Sequence, residues 1–226
     1  MKDNYINLVF VVDQSGSMLE SESDVVGGFK TIINKQKAIK DGKCTISLFT
    51  FADEVTEVYL GKDINEIDSI EYYPCGCTAM NDGIATAIDK VGIWLNSMEE
   101  SEKPSKNLVV IMTDGFENNS KEFSIDDVKK RIKHQREKYN WEFMFVGTDI
   151  TSDEYSQSVG IKINSFTSRL NSYKNYDVLN DAVAAYRCCA QPQAEETFTS
   201  TLYCATAELT SEYENEIGKK ICSEQF

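Results

Sequence analysis

Residues 9–17 read Val-Phe-Val-Val-Asp-Gln-Ser-Gly-Ser, and this stretch decides how the rest of the chain is interpreted. The apolar run 9–12 is typical of a buried strand, so Asp13, Ser15 and Ser17 follow where that strand opens into a loop. Side chains at the strand tips of an open α/β sheet commonly face a ligand. Three oxygen-bearing side chains in such a place suit a small hard cation such as Mg²⁺. The stretch therefore predicts a metal site, although Asp-x-Ser-x-Ser alone is common in loops.

Two later segments carry oxygen ligands of the same kind. Thr78 lies in Gly-Cys-Thr-Ala-Met-Asn-Asp at 76–82, directly before a helix-like segment. Asp114 follows a second apolar strand, in Val-Val-Ile-Met-Thr-Asp-Gly at 109–115. The agreement of three separated segments, each after or before a plausible element, is more specific than any one of them.

In this order the three segments resemble the metal-ion-dependent adhesion site of von Willebrand factor type A (VWA) domains. That site is built from Asp-x-Ser-x-Ser, a distant threonine and a distant aspartate, and all of these positions are filled here. The corresponding residues are Asp13, Ser15, Ser17, Thr78 and Asp114. The resemblance covers about residues 5–165 and is strong with the stand-alone VWA proteins of bacteria and phages.

Short apolar runs alternate with longer amphipathic segments along the chain. Strand-like runs fall near 6–12, 44–51, 54–60, 107–112, 142–147 and, weakly, 161–163. Helix-like segments fall near 21–40, 82–98, 125–139 and 174–189. This alternation predicts crossover connections and an α/β fold with a mainly parallel sheet, whose second and third strands form an antiparallel edge hairpin.

The VWA resemblance makes the expected fold more specific. It implies a Rossmann-like, doubly wound, six-stranded sheet in the order 3-2-1-4-5-6, with one antiparallel edge strand and helices on both faces. Strands 1 and 4 are then neighbours at the point where the winding reverses. Asp13 and Asp114 would therefore face one crevice.

The last part of the chain differs in composition from the rest. We expect a VWA domain over residues 1–190 and an acidic C-terminal tail over 191–226, which carries seven acidic and two basic residues. Apolar residues in the tail recur every three or four positions, which predicts a helix packed on the domain. Docking onto a partner, or a tail without fixed structure, also fits this pattern.

Composition limits the partners and the compartment. A net charge of −14 disfavours binding to nucleic acid and to anionic membrane surfaces, because their phosphates would be repelled. No apolar run approaches the ~20 residues of a membrane span, and no early segment looks like a signal peptide. The seven cysteines are an odd number, as expected of unpaired thiols in a reducing compartment. We therefore expect a cytoplasmic protein.

The resemblance also implies a mechanism, which is metal-dependent adhesion without catalysis. Ser15, Ser17 and Thr78 would bind Mg²⁺ or Mn²⁺ directly. Asp13 and Asp114 would balance the charge of the ion, acting through water or hydrogen bonds. A shell rich in neutral oxygens leaves the cation electron-poor, so it would accept the Asp or Glu side chain of a protein partner. The oligomeric state is not encoded in any of these patterns.

Two other functions fit parts of the sequence. Asp13 after an apolar strand resembles the nucleophile of haloacid-dehalogenase-type phosphatases, but Ser15 stands where those enzymes carry an acid/base aspartate. A degenerate VWA scaffold, working in a multi-protein assembly without a metal, is the second alternative, and the five intact ligand positions argue against it. His134 is the only histidine, and its position on a polar helix excludes Ser-His-Asp catalysis.

Several neighbours of the predicted site have an ordinary structural explanation as well as a functional one. Asp82 fits either the orientation of a metal-bound water or the cap of the following helix. The segment 117–119 fits either contact with a ligand or a polar loop. Cys75 and Cys77 lie where VWA domains do not ordinarily carry thiols, but no histidine or second cysteine pair completes a zinc site.

Overall fold

The computed structural model describes residues 2–147, 150–161, 179–181, 183–184 and 186–187. Strands and helices alternate along this part of the chain, as the sequence predicts. The strands are β1 (Lys2–Asp13), β2 (Lys43–Phe51), β3 (Val55–Asp63), β4 (Pro104–Thr113) and β5 (Glu142–Gly147). The helices are α1 (Glu22–Ala38), α2 (Met80–Asn96), α3 (Ile125–Tyr139) and α4 (Ile150–Ser158). Short 3-10 turns occur at Gly16–Ser21, Ile64–Glu66 and Glu100–Glu102.

The five strands form one mainly parallel sheet in the order β3-β2-β1-β4-β5. The central strand β1 pairs in parallel with β2 on one side and with β4 on the other, and β4 pairs in parallel with β5. The edge strand β3 runs antiparallel to β2, with which it forms the predicted hairpin. These pairings confirm the predicted fold class and the predicted order of the first five strands.

The described elements differ from the prediction in two places. The sheet has five strands rather than six, because Ile161 is buried but not in a strand, and the other residues of the run near 161–163 lie outside the described part. Helix α4 was not predicted, since its sequence Ile-Thr-Ser-Asp-Glu-Tyr-Ser-Gln-Ser has no apolar periodicity. The described residues between 179 and 187 are helical, as expected of the segment 174–189. The domain boundary at 190 and the tail 191–226 fall outside the described residues and stay predictions.

The core lies on both faces of the sheet. Successive side chains of a strand point to opposite faces, so Leu8 and Phe10 of β1 lie in one apolar cluster, whereas Val9 and Val11 lie in the other. The helical residues in the first cluster include Phe29, Ile32 and Ile33 of α1 together with Leu179 and Val183; those in the second include Ile84 and Ile88 of α2 and Val128 and Ile132 of α3. Because both faces are covered, the central strands are continuous apolar runs that end abruptly in polar residues.

None of the described helices combines the length and the apolar character that crossing a membrane would require.

Candidate metal centre

Asp13 is buried at the junction of two parallel strands. It ends β1, while Thr113 ends the neighbouring strand β4. The Thr113 hydroxyl donates to Asp13 Oδ2 at 2.5 Å, and the Ser15 backbone N–H donates to Asp13 Oδ1 at 2.8 Å. The Tyr72 hydroxyl donates to the backbone carbonyl of Asp13. Groups from three segments of the chain therefore fix this residue.

The protonation of Asp13 depends on its surroundings. Burial raises the pKa of the Asp13 carboxyl above its ordinary value, and the negative charge of Asp114 acts in the same direction. The hydrogen bonds from Thr113 and Ser15 lower that pKa and so oppose both effects. A cation beside this carboxyl would also favour its charged form, because opposite charges stabilise each other in a buried site.

The serine hydroxyls connect Asp13 to the second carboxylate. Ser17 Oγ donates to Asp114 Oδ1 at 2.7 Å, and Ser15 Oγ lies 3.1 Å from Ser17 Oγ. Ser15 is buried, whereas Ser17 is exposed and Asp114 is half-buried. The group of oxygens therefore extends from the interior to the surface of the crevice.

Thr78 faces the same crevice from a third segment. A Cβ atom on Gly115 would lie 3.4 Å from both Ser17 Oγ and Thr78 Oγ1, and 3.6 Å from Asp13 Oδ2. Oxygens of two separate segments are thus directed at the space beside a glycine of the third segment. The structure brings together all five residues that the sequence predicted for the site.

The loop that follows β1 is held to the loop that precedes Thr78. The Gly16 N–H donates to the Gly76 carbonyl at 3.0 Å, and the Cys75 N–H donates to the Gln14 carbonyl at 2.8 Å. Gly76 has a φ of +79°, and a Cβ atom there would lie 2.3 Å from Asp53 Oδ2. A side chain at this position would both strain the backbone and displace Asp53, so the link between the two loops requires glycine.

The segment 117–119 is held to Thr78 and α2. The Thr78 carbonyl accepts from the N–H groups of Asn118 and Asn119 at 3.1 and 3.2 Å, and Asn118 Oδ1 accepts from the Thr78 N–H at 2.9 Å. Glu117 Oε2 accepts from the Asn81 N–H in the first turn of α2 at 2.7 Å. These residues therefore position Thr78. The sequence did not predict this role for the segment 117–119.

Asp82 has a role that neither of its two predicted explanations describes. Its carboxylate accepts from the backbone N–H groups of Lys121, Glu122 and Phe123 at 2.8, 3.1 and 2.8 Å. The cap position of α2 is Ala79, and no side chain caps the helix there. Asp82 thus ties the start of α2 to the long loop between β4 and α3.

Sequence reasoning missed two residues that support the site, Thr113 and Tyr72, and it considered Asn118 only as a ligand contact or as part of a polar loop. Thr113 stands directly before Asp114 at a strand end, and that position was an available signal. Tyr72 lies in a segment without a recognisable motif. Cys75 and Cys77 are exposed free thiols. Among the described residues, no three His, Cys, Asp or Glu side chains form a metal-binding cluster; the oxygen set described above depends on hydroxyls instead.

A sequence model of the von Willebrand factor type A domain matches residues 7–184. The chain therefore belongs to the VWA domain family, which confirms the resemblance carried by the three motif segments. No curated protein sequence matches the chain.

Solved structures of other VWA domains have the same fold. The vWF domain of the type V pili tip protein Mfa5 from Porphyromonas gingivalis gives a TM-score of 0.58 at 10% identity, covering 83% of this chain and 97% of that one. A von Willebrand factor type A protein from Catenulispora acidiphila gives 0.52 at 12% identity, covering 80% and 42%. Proximal thread matrix protein 1 of the mussel byssus, with zinc in its MIDAS (metal-ion-dependent adhesion site) motif, gives 0.53 at 18% identity, covering 78% and 45%. The chain thus spans less than half of the last two proteins.

Proposed function

We propose that this protein is a metal-dependent protein-binding module. Ser15, Ser17 and Thr78 bind Mg²⁺ or Mn²⁺ through their hydroxyl oxygens, and a carboxylate of a protein partner completes the coordination of the ion. The observation that carries this proposal is the convergence of Asp13, Ser17 and Thr78 oxygens around Gly115, at 3.4 to 3.6 Å from one point.

The residues present fit a hard divalent cation. Mg²⁺ and Mn²⁺ prefer oxygen ligands, and two nearby carboxylates balance a charge of +2. Both oxygens of Asp13 already accept hydrogen bonds, from Ser15 and Thr113. Asp13 therefore supplies charge and orientation, while the neutral hydroxyls contact the ion. Zinc in the MIDAS motif of the mussel protein supports metal use in the family.

A cation also explains how an acidic protein attracts an acidic partner. The chain has a net charge of −14, so its surface repels a carboxylate at a distance. An ion held mainly by neutral oxygens reverses the sign of the field locally. The carboxylate of the partner's Asp or Glu is then attracted to the ion and binds it directly.

The surroundings of the site favour a partner with apolar residues beside its carboxylate. Leu19, Tyr73 and Phe116 are 62%, 67% and 62% exposed, and they lie next to the three motif segments in the chain. We call these three residues the apolar rim. They are half of the six large apolar side chains that are exposed in the described part of the chain. Exposed apolar side chains beside a polar site offer contact area to a protein partner.

The proposed role is binding without catalysis, in the cytoplasm. Ser15 donates a backbone N–H to Asp13 and offers no acid/base group beside it, which disfavours the phosphatase alternative. The described cysteines, at 44, 75 and 77, are free thiols, in keeping with a reducing compartment.

Selection of peptides from a random display library tests this function even though the partner is unidentified. The full-length protein is immobilised with Mg²⁺, and bound peptides are eluted with EDTA. We expect the enriched peptides to share an Asp or Glu next to an apolar residue, and to lose binding to Asp13→Ala. Peptides without an acidic residue, or binding that persists in EDTA, would contradict the proposal.

The apolar rim is tested with a matched pair of variants. Burying a large aliphatic side chain stabilises a complex by about 1.5–3 kcal/mol. Leu19→Ser should therefore lower the affinity for the selected peptide by at least about tenfold. Ile93→Ser removes a similarly exposed aliphatic side chain from α2, outside the motif segments, and should leave the affinity unchanged. Equal effects of the two variants on the affinity would show that the apolar rim is not part of the binding surface.

A further inference from the structure

Helix α3 presents basic side chains to solvent. It carries six lysine and arginine residues, against three in α1, one in α2 and none in α4. All six lie in the segment from Lys129 to Lys138, where Glu137 is the only acidic residue. Such a concentration of positive charge in a chain with a net charge of −14 favours an acidic partner. We call the exposed lysines of this segment the basic face: Lys129, Lys130, Lys133 and Lys138.

The described residues neutralise only part of the charge of the basic face. Lys133 lies 3.8 Å from Glu137 of the same helix. The other three lysines, Lys129, Lys130 and Lys138, form no ion pair with a carboxylate in the described part of the chain. Their ammonium groups are therefore available to an acidic segment that lies against α3.

The last described residues lie at the edge of the sheet where α3 ends. Lys106, near the start of β4, donates through Nζ to the carbonyls of Tyr186 and Arg187 at 2.8 and 3.1 Å. The neighbouring parallel strand β5 begins at Glu142, shortly after α3 ends at Tyr139. Arg187 and the end of α3 are therefore both located at the amino ends of these strands.

The acidic tail 191–226 is long enough to reach the basic face from this edge. Roughly 20 residues separate Arg187 from Glu208, the first of the glutamates in the segment 208–216, and an extended chain of that length spans up to about 70 Å. Helix α3 is only about 22 Å long. All of the basic face is thus within reach of this segment.

The segment 208–216 carries the opposite charge at a matching spacing. Glu208, Glu212 and Glu216 recur every four residues, which corresponds to about 6 Å along a helix. Lys129 and Lys133 recur at the same interval in α3. The aliphatic parts of lysine side chains also offer contact area to the apolar residues that recur beside these glutamates.

We propose that the acidic segment 208–216 of this chain binds the basic face of α3. The contact is mainly electrostatic, so it weakens as salt shortens the screening length from about 10 Å at 0.1 M to about 3 Å at 1 M. The bound segment neutralises the basic face and competes with other acidic proteins for it. This surface is separate from the metal centre, and the proposal does not depend on metal binding.

Carbodiimide crosslinking of the full-length protein tests this proposal, because the reagent joins only lysines and carboxylates that are in contact. Unlabelled and ¹⁵N-labelled protein are mixed, so that mass spectrometry separates crosslinks within one chain from those between two chains. We expect crosslinks within one chain between the basic face and the segment 208–216 at about 0.1 M salt, and their loss at about 1 M. Lys37 and Asp68, which lie 3.1 Å apart, are the positive control at low salt.

Three crosslinking results would overturn the proposal. Crosslinks that join only labelled to unlabelled chains would show that a second copy occupies the basic face. Crosslinks from the segment 208–216 to lysines outside α3 would place the tail elsewhere. Absence of crosslinks from this segment, while the pair of Lys37 and Asp68 is crosslinked, would show that the tail does not contact α3.

Charge-reversal variants connect the tail to α3. Lys129→Glu/Lys130→Glu replaces attraction by repulsion, and should speed hydrogen exchange of the amides in 208–216 by about threefold or more. Lys30→Glu/Lys40→Glu makes the same change of charge at two exposed lysines outside α3, and should leave this exchange unchanged. Equal exchange rates in the native protein and in both variants would contradict the contact.

Reversal of the tail charges should rescue the first of these variants. Glu212→Lys/Glu216→Lys, added to Lys129→Glu/Lys130→Glu, restores opposite charges and should slow the exchange in 208–216 again. An exchange rate that stays as high as in the unrescued variant would show that these charges do not meet.

Discussion

Asp13 combines burial, charge and two hydrogen bonds at a strand end. Each carboxylate oxygen accepts one hydrogen bond, from Ser15 and Thr113. The side chain cannot turn towards solvent without breaking both bonds. A charge that is buried and held in this way favours a cation nearby, because Coulombic attraction is stronger where water is excluded. This residue is therefore the most direct place to test the metal centre.

Gly115 should be required for metal binding rather than for folding. A Cβ atom there meets Ser17 Oγ, Thr78 Oγ1 and Asp13 Oδ2 at ordinary contact distances of 3.4 to 3.6 Å. Gly115→Ala should therefore fold, but its methyl group occupies space beside the oxygens and should lower the affinity for Mn²⁺ by about tenfold or more. Calorimetric titration measures the affinity, and circular dichroism checks the fold. An unchanged Mn²⁺ affinity would show that the ion does not lie beside this glycine.

The five candidate ligands could be predicted from the sequence because each lies at a fixed place in a local motif. Asp13, Ser15 and Ser17 are within five positions of one another, and Asp114 follows an apolar run that is easily recognised. The role of Thr113 could not be read in the same way. Its hydroxyl acts on a carboxylate 100 positions away, and only the pairing of β1 with β4 brings the two together.

At the level of loops and secondary-structure elements, the shape of the site is set by three loops and by the start of α2. Three loops meet there and share backbone hydrogen bonds, such as those between Gly16 and Gly76 and between Asn118 and Thr78. Asp82, in the first turn of α2, holds the segment 121–123 through three backbone N–H groups. The position of Thr78 thus depends on contacts made by residues that do not reach the crevice themselves.

Removal of the Asp82 carboxylate should destabilise the whole domain. Asp82→Ala leaves three N–H groups without their acceptor in a partly buried place, so we expect the free energy of unfolding to fall by roughly 2–4 kcal/mol. The matched control is Asp89→Ala on the same helix. Asp89 accepts hydrogen bonds from Arg131 Nε and Nη2 at 2.9 Å, but its side chain is 42% exposed and water screens the pair, so we expect a smaller loss of about 1 kcal/mol. Urea unfolding measures both variants, and equal losses would contradict the role given to Asp82.

Elements with local signals were predictable, and those without were not. Helix α3 was expected at 125–139 and spans Ile125–Tyr139. A capping box between Ser124 and Asp127 begins it, and Asn140 ends it in the left-handed conformation. Helix α4 has no apolar stripe, so no pattern in its residues predicted it. Its Tyr155 nevertheless packs on Phe145 and donates to Asn81 Oδ1 at 2.6 Å, which means that tertiary contacts hold it.

The whole molecule presents two different edges of one sheet. The carboxyl ends of β1 and β4 carry hydroxyls, carboxylates and the apolar rim, whereas the opposite edge carries Arg187 and a lysine-lined cavity. The doubly wound topology accounts for the first edge, because loops that follow neighbouring parallel strands on either side of the winding reversal enclose a crevice. No sequence motif predicted the cavity at the opposite edge, because its lining residues come from α1, β2, β3 and the helical residues near 187.

Calorimetric titration of chelator-stripped protein with Mg²⁺ and with Mn²⁺, repeated on Asp13→Ala, tests the central claim most directly. We expect saturable binding of one equivalent by the native protein and none by the variant. The variant should still unfold cooperatively, because Asp13 lies at a strand tip and the apolar clusters on both faces of the sheet are untouched. Absence of binding to either ion, or undiminished binding by folded Asp13→Ala, would contradict a metal centre at this site.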